Sequence, residues 1–327
     1  MKNKLLLILT IALSTSAIGQ QTTQFSQYAR NQYMVNPAAA GMYDFLDLTV
    51  GGRMQWVGFT DAPMSSYLYI SAPLKKKNSY AKYNPGIRIS NRGAEAPKVG
   101  TGKLKHAIGG IVIADQYGAY RQLKFNGTYA LHIPLSRNIN MSFGANVGIS
   151  NRTFLKERAQ TLNVITGVGT DPTYDAYSAN ANLNTLDVGA GIYLYSQELF
   201  FGVSADQLTK DLVSFGSGTA NFDPQMHLRA IAGYKFQMDR DWSVTPSILV
   251  KYVKNAPVSL EGSAMVEYGN WIWFGISYRN TDAVIGMVGM TLGERFKFGY
   301  SYDFNVSRFN KNSAGGHELV LGLMFGR

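Results

Sequence analysis

From Phe45 to the C-terminus, apolar and polar residues alternate with a period of two, the period of a strand whose two faces meet different surroundings. The run Ile139-Asn-Met141-Ser-Phe143-Gly-Ala145-Asn-Val147-Gly-Ile149 holds the alternation without a fault. It recurs over Leu186 to Ile192, Met226 to Phe236 and Phe296 to Phe304. In the first strand it sets Leu46, Leu48, Val50, Gly52, Met54 and Trp56 against Asp47, Thr49, Gly51, Arg53 and Gln55. Segments of this character predict fourteen strands, at 45–56, 63–74, 104–115, 121–133, 138–150, 184–195, 198–206, 226–237, 241–253, 257–269, 270–280, 282–293, 295–304 and 317–326. A soluble sandwich also alternates, but seldom over such lengths, whereas about 9–11 residues cross a bilayer at a tilt. An even number of such strands predicts an all-β chain, a transmembrane antiparallel β-barrel of the outer membrane over 45–327.

The connections give an independent check. With the first strand running outward, even-numbered connections are periplasmic turns and should be short. Pro134 to Arg137, Ser196-Gln197, Met238 to Arg240, the corner Tyr268 to Asn270 and Gly293-Glu294 all are. The long connections 151–183, 207–225 and 305–316 fall on odd numbers, as extracellular loops do. The exception is 75–103, an even-numbered connection that is long and strongly basic. It reads as a solvated periplasmic loop or an extra hairpin at Ile87 to Ser90; the competing reading is a docking surface for a periplasmic partner or for lipid headgroups.

Ahead of the barrel the sequence changes character. Residues 1–19 read as a secretory signal peptide, with Lys2 and Lys4, an apolar run from Leu5 to Leu13, and Ala17-x-Gly19 before Gln20. The segment 20–44 then carries Ser26-Gln27-Tyr28 in a polar, aromatic-rich run, followed by Asn36-Pro37-Ala38-Ala39-Ala40-Gly41. Proline keeps the residue before it out of the α region, so a helix begun at Gln24 should stop at Asn36. The segment predicts a short helix that plugs the periplasmic mouth; the alternative is a contact for partner proteins.

Composition narrows the choice. A mean hydropathy of −0.10 with 46% apolar residues is what alternation produces. No window beyond the leader approaches the roughly 18 consecutive apolar residues of a membrane helix. The absence of cysteine excludes disulfides and thiolate metal or redox sites. The formal charge of +10 falls to about +8 without Lys2 and Lys4, which suits lipid headgroups or lumen ion pairs; nucleic acid has no place in this compartment.

Aromatic residues near strand ends, Trp56, Tyr117, Tyr120, Tyr193, Tyr195, Trp242, Tyr252, Tyr268, Trp271, Trp273 and Tyr278, suggest interfacial girdles. Asp47, Arg53, Lys124, Asp187, Arg229, Lys235, Glu261, Glu267, Lys297, Asp303 and Glu318 all fall on the polar register, where a lumen lets them pair. The histidines His106, His132, His227 and His317 are isolated in sequence and read as lumen-facing polar residues rather than catalytic ones. No zinc-binding spacing occurs, and Asp171 and Asp175 sit in ordinary loop composition. The sequence therefore points to no catalytic residue, cofactor or metal.

Three motifs, Ser26-Gln27-Tyr28, Asn36-Pro37-Ala38-Ala39-Ala40-Gly41 and Arg53-Met54-Gln55-Trp56-Val57-Gly58-Phe59, stand in the order found in the PorP/SprF family, outer-membrane proteins of the type IX secretion system of the Bacteroidetes. The chain resembles that family at this end, and the strand pattern carries the likeness to the C-terminus. The long basic insert is not part of it. The resemblance implies a non-enzymatic outer-membrane component. Its partners would be other type IX components and the C-terminal domain of specific large secreted proteins, adhesins and gliding-motility adhesins among them. It gives Ser26, Gln27, Tyr28, Asn36, Pro37, Gly41, Arg53, Gln55, Trp56, Gly58 and Phe59 no role. A diffusion channel or hydrophobic-solute transporter would share the same barrel.

Overall fold

The computed structural model describes residues 24–74, 99–159, 182–209, 225–254, 256–293, 295–306 and 313–326, with isolated positions within 161–178 and at 214–215. The signal-peptide reading and most of the basic insert fall outside the described residues. Within them run fourteen long strands: β1 Leu46–Met54, β2 Met64–Pro73, β3 Lys105–Tyr117, β4 Tyr120–Pro134, β5 Asn140–Phe154, β6 Asn182–Tyr195, β7 Leu199–Asp206, β8 His227–Tyr234, β9 Trp242–Val253, β10 Ser259–Tyr268, β11 Ile272–Arg279, β12 Ala283–Leu292, β13 Phe296–Asn305 and β14 Gly316–Phe325. Each pairs antiparallel with the next, and β1 pairs with β14 from Leu46↔Phe325 to Met54↔His317, so the sheet closes into a barrel. Closure satisfies the backbone of both edge strands, which hydrocarbon could not.

Several boundaries differ from the alternation; β5, expected to end at 150, runs on to Phe154. The strand expected over 226–237 breaks at Lys235, whose N–H bonds the carbonyl of Glu198 at 2.8 Å; Phe236–Gln237 then continues it. The facing strand β9 carries Pro246 between its two stretches paired on this side, and proline has no N–H for the ladder. β1 stops at Met54 rather than 56, because Trp56 turns to φ 50° and starts a hairpin.

The two faces separate as a membrane requires. In β1, Asp47, Thr49, Gly51 and Arg53 are buried while Val50, Gly52 and Met54 are exposed; β5 buries Asn140, Ser142, Gly144 and Asn146 and exposes Phe143, Ala145 and Val147. Outward side chains meet lipid and inward ones line a lumen. Fourteen strands enclose more space than wall side chains alone can fill, since about eight already bring the walls within reach of each other. Residues 24–45 occupy this space.

At one end of the barrel the connections are short, at 135–139, 196–198, 238–241, 269–271 and 293–295, except for 74–104. At the 269–271 corner Gly269 and Asn270 both take positive φ, 58° and 56°, as a tight hairpin demands. The long connections 55–63, 155–181, 207–226 and 306–315 leave from the opposite end, beside the shorter 118–119, 254–258 and 280–282. Outer-membrane barrels keep short turns in the periplasm. In this cysteine-free chain, Thr60→Cys should react with a membrane-impermeant maleimide on intact cells, and Ser136→Cys only after the outer membrane is permeabilised. Labelling in the reverse order would invert the topology.

Candidate functional site

The segment entering the barrel is not an α-helix. It forms two 3-10 turns, Gln32–Met34 and Pro37–Ala39. The sequence reading takes Asn36-Pro37 as the end of a helix; the pair instead begins the second turn. Proline fits the first helical position because the N–H it lacks would be unbonded there. Asn36 caps the turn, its side-chain oxygen accepting from the Ala38 N–H at 2.9 Å.

The rest of the Asn36 side chain is spent on the wall. Its Nδ2 donates to the carbonyls of Ile192 and Val203, both at 3.0 Å, tying the turn to β6 and β7. Ser142 of β5 donates to Ala38 O and His132 Nε2 of β4 to Ala40 O at 2.8 Å, while Ser204 and Arg229 both donate to Val35 O. An α-helix would have consumed these carbonyls internally. An irregular segment leaves them for a polar lumen. Gly144 provides the approach, since a Cβ there would lie 2.4 Å from the Ala38 nitrogen. Gly41 ends the segment at φ 64°, with its N–H donating to Ser71 Oγ at 2.6 Å; an added Cβ would lie 2.3 Å from that of Ala107. Gly41→Val should therefore cost about 1–3 kcal/mol through strain and overlap, read as a lower temperature for loss of the fast-migrating folded band on gels.

At its other end the segment meets a cluster of buried charge. Ser26 donates its N–H to Glu318 Oε2 at 2.6 Å and its hydroxyl to Asp303 Oδ1 at 2.9 Å, and accepts from Arg53 Nη1 at 2.6 Å. Arg53 also reaches Asp303 at 2.7 Å and lies 3.7 Å from Glu318. The Gln27 N–H adds a bond to Glu318 Oε1 at 3.3 Å. Arg279 joins β10, β11 and β13 by pairing Glu261 at 2.8 Å and Asp303 at 3.3 Å. Tyr28 is buried against this cluster, its hydroxyl 3.3 Å from Ser247 Oγ. Burial pushes its phenol up to about 12, so the ring stays neutral at any ordinary pH. Arg53, Glu261, Arg279, Asp303 and Glu318 sit in the last or first three residues of their strands, at the long-loop end, while Ser247 lies mid-strand. The plug thus runs from the long-loop half of the lumen to the short-turn mouth.

The motif residues separate into three places. Ser26, Gln27, Tyr28 and Arg53 build the charged cluster; Asn36, Pro37 and Gly41 shape the turn at the other end. Gln55, Trp56, Gly58 and Phe59 form the hairpin beyond β1, apart from the plug. That hairpin bonds the β13–β14 connection, with Val57 N–H to Gly315 O at 2.9 Å and Ala314 N–H to Val57 O at 2.7 Å.

All eleven ionisable residues of the polar register face inward and are paired: Asp47 with Lys297, Lys124 with Asp187, Lys235 with Glu267, Arg229 with Asp206, and Arg53, Glu261, Asp303 and Glu318 in the cluster. The sequence reading missed Asp206 and Arg279, though both share the inward register of their strands. It also misplaced three rings. Tyr193, Tyr195 and Trp273 are buried in the lumen, whereas Trp242, Tyr252, Tyr268 and Tyr278 are exposed as girdle residues are. Tyr193 donates to Gln32 of the plug at 2.6 Å and Tyr195 to His132 at 2.8 Å. Of the histidines, His132 and His227 are buried in the lumen, but His106 and His317 lie on the outward register. There the Nδ1 atoms bond the hydroxyls of Tyr129 at 2.6 Å and Tyr300 at 2.7 Å. Among the described residues no set of carboxylates and histidines is arranged to hold a metal ion.

Among the described residues, cavities of about 20 and 60 Å³ lie beside the plug, the larger lined by Gln27, Arg30, Trp273 and Lys297. They have room for a few waters; a dry site for a benzene-sized molecule needs about 150 Å³.

No curated protein matches the chain. Solved structures similar in fold include the toluene transporter TbuX of Ralstonia pickettii, at 11% identity and TM-score 0.47 over 89% of this chain and 92% of that one. The CymD monoaromatic hydrocarbon channel stands at 11% identity and TM-score 0.49 over 96% of each chain. The Pseudomonas putida toluene transporter TodX stands at 9% and 0.45 over 94% and 95%. Likeness this distant says nothing about cargo. The family model for the type IX secretion system membrane protein PorP/SprF, by contrast, matches residues 17–323, nearly the whole chain and all three motifs. The protein is an outer-membrane β-barrel that belongs to the PorP/SprF family of type IX secretion system membrane proteins.

Proposed function

We propose that this barrel is a non-enzymatic accessory of type IX secretion that binds the C-terminal domain of specific large secreted proteins and supports their secretion or attachment at the cell surface. Adhesins, including those of gliding motility, are the expected clients, and delivery is by a signal peptide cut near Gln20. Family membership implies other secretion components as partners. The observation that carries the reading toward an anchor is the plug, bonded to the wall along its length, with water-sized cavities beside it among the described residues. A protein interface needs no open lumen and no cofactor. It needs surface, on the order of 1,600 Å² in a stable complex.

Two measurements test this. The purified barrel in a planar bilayer should show no steady conductance. From detergent-solubilised outer membrane it should co-purify with secretion components and a large secreted protein, and a client lacking its C-terminal domain should be lost from the eluate. Steady conductance with no such client would favour the diffusion-channel reading.

A further inference from the structure

We infer that the plug and the outer hairpin form one coupled element, so that an event at the hairpin is felt by the plug inside the lumen. Arg53 is the joint. It is the penultimate residue of β1, it holds Ser26 at 2.6 Å, and the chain turns into the hairpin two residues later.

The hairpin is under strain. Trp56 and Asp61 take φ 50° and 54°, sparsely populated for residues with side chains. Such conformations persist only where surrounding contacts over-determine them. The contacts here are the backbone clasp to Gly315 and Ala314, the Gln55 N–H to Pro63 O bond at 2.9 Å and the Arg158–Asp61 pair at 3.3 Å. The clasp also fixes where β13 and β14 meet, and these strands supply Asp303 and Glu318, the two acceptors of Ser26. Opening the clasp releases both sides of the cluster together. Ser26 then loses its oriented partners while the Asn36 turn, bonded to β6 and β7, keeps its own.

The test uses single-cysteine reporters in the full-length, folded barrel. Gln27→Cys reports the cluster, Ala39→Cys the turn and Ala130→Cys the wall; all three parent residues are buried. Val57→Pro and Ala314→Pro each delete one clasp N–H, and Val57→Ala keeps it. Each proline variant should raise the maleimide reaction rate at position 27 about tenfold, the effect of losing about one hydrogen bond on a local opening. The rates at 39 and 130 should hold, and Val57→Ala should change nothing. An unchanged rate at 27, or an equal rise at all three positions, overturns the coupling. If one proline variant fails to fold, the other decides; failure of both makes the clasp a folding element and overturns the coupling as well.

Discussion

Replacing Arg53 by methionine should cost about 3–5 kcal/mol and strip the outer membrane of most folded protein. Arg53 is 3% exposed and faces Asp303, Glu318 and Ser26 at once. Methionine conserves much of the volume but leaves Glu318 in the lumen wall with only the N–H groups of Ser26 and Gln27. Asp303 keeps Arg279. The penalty is the desolvation of a carboxylate that can no longer be compensated, and it is comparable with the whole stability of many domains, about 5–15 kcal/mol. If this account is right, Arg53→Met with Glu318→Gln should recover much of the loss, since a neutral amide tolerates the same site. Heat-modifiable migration and urea midpoints in detergent would measure both variants. A single variant as stable as the parent would mean that the cluster is solvated and holds nothing.

The wall was legible because lipid and lumen impose opposite chemistry on alternate residues. All fourteen strands follow from parity, and the paired charges follow with them. The errors arose where residue type was allowed to outweigh parity. Tyr193 and Tyr195 share the inward register of Asp187 and Gly191, and Trp273 that of Ser277, so their burial was available from the alternation. His106 and His317 likewise share the outward register of Ile108 and Leu319. The plug was legible only as a polar, aromatic segment. Its conformation is set by partners far away in sequence, Glu318 for Ser26 and Val203 for Asn36, and no local pattern encodes those pairings. Asn36-Pro37 misled for a related reason: the pair is compatible with a stop and with a start, and the wall carbonyls that accept from Asn36 select the start.

Removing β14 should abolish the folded protein altogether. The strand pairs residue for residue with β1 from Phe325 to His317 and with β13 from Leu323 to Gly316. Its loss exposes two edges, and each backbone group left unpaired in hydrocarbon costs several kcal/mol, so no rearrangement of loops offsets the deficit. The same cut removes Glu318, the acceptor of the Ser26 and Gln27 N–H groups. A chain ending at residue 315 should therefore never show heat-modifiable migration and should be degraded in the periplasm. Deleting 24–42 provides the contrast: every wall ladder survives, although Arg53 loses Ser26 and the lumen opens, so a folded band of lower stability should persist. Were the two deletions to behave alike, with both folded or both absent, strand closure would not be the term that decides whether this barrel forms.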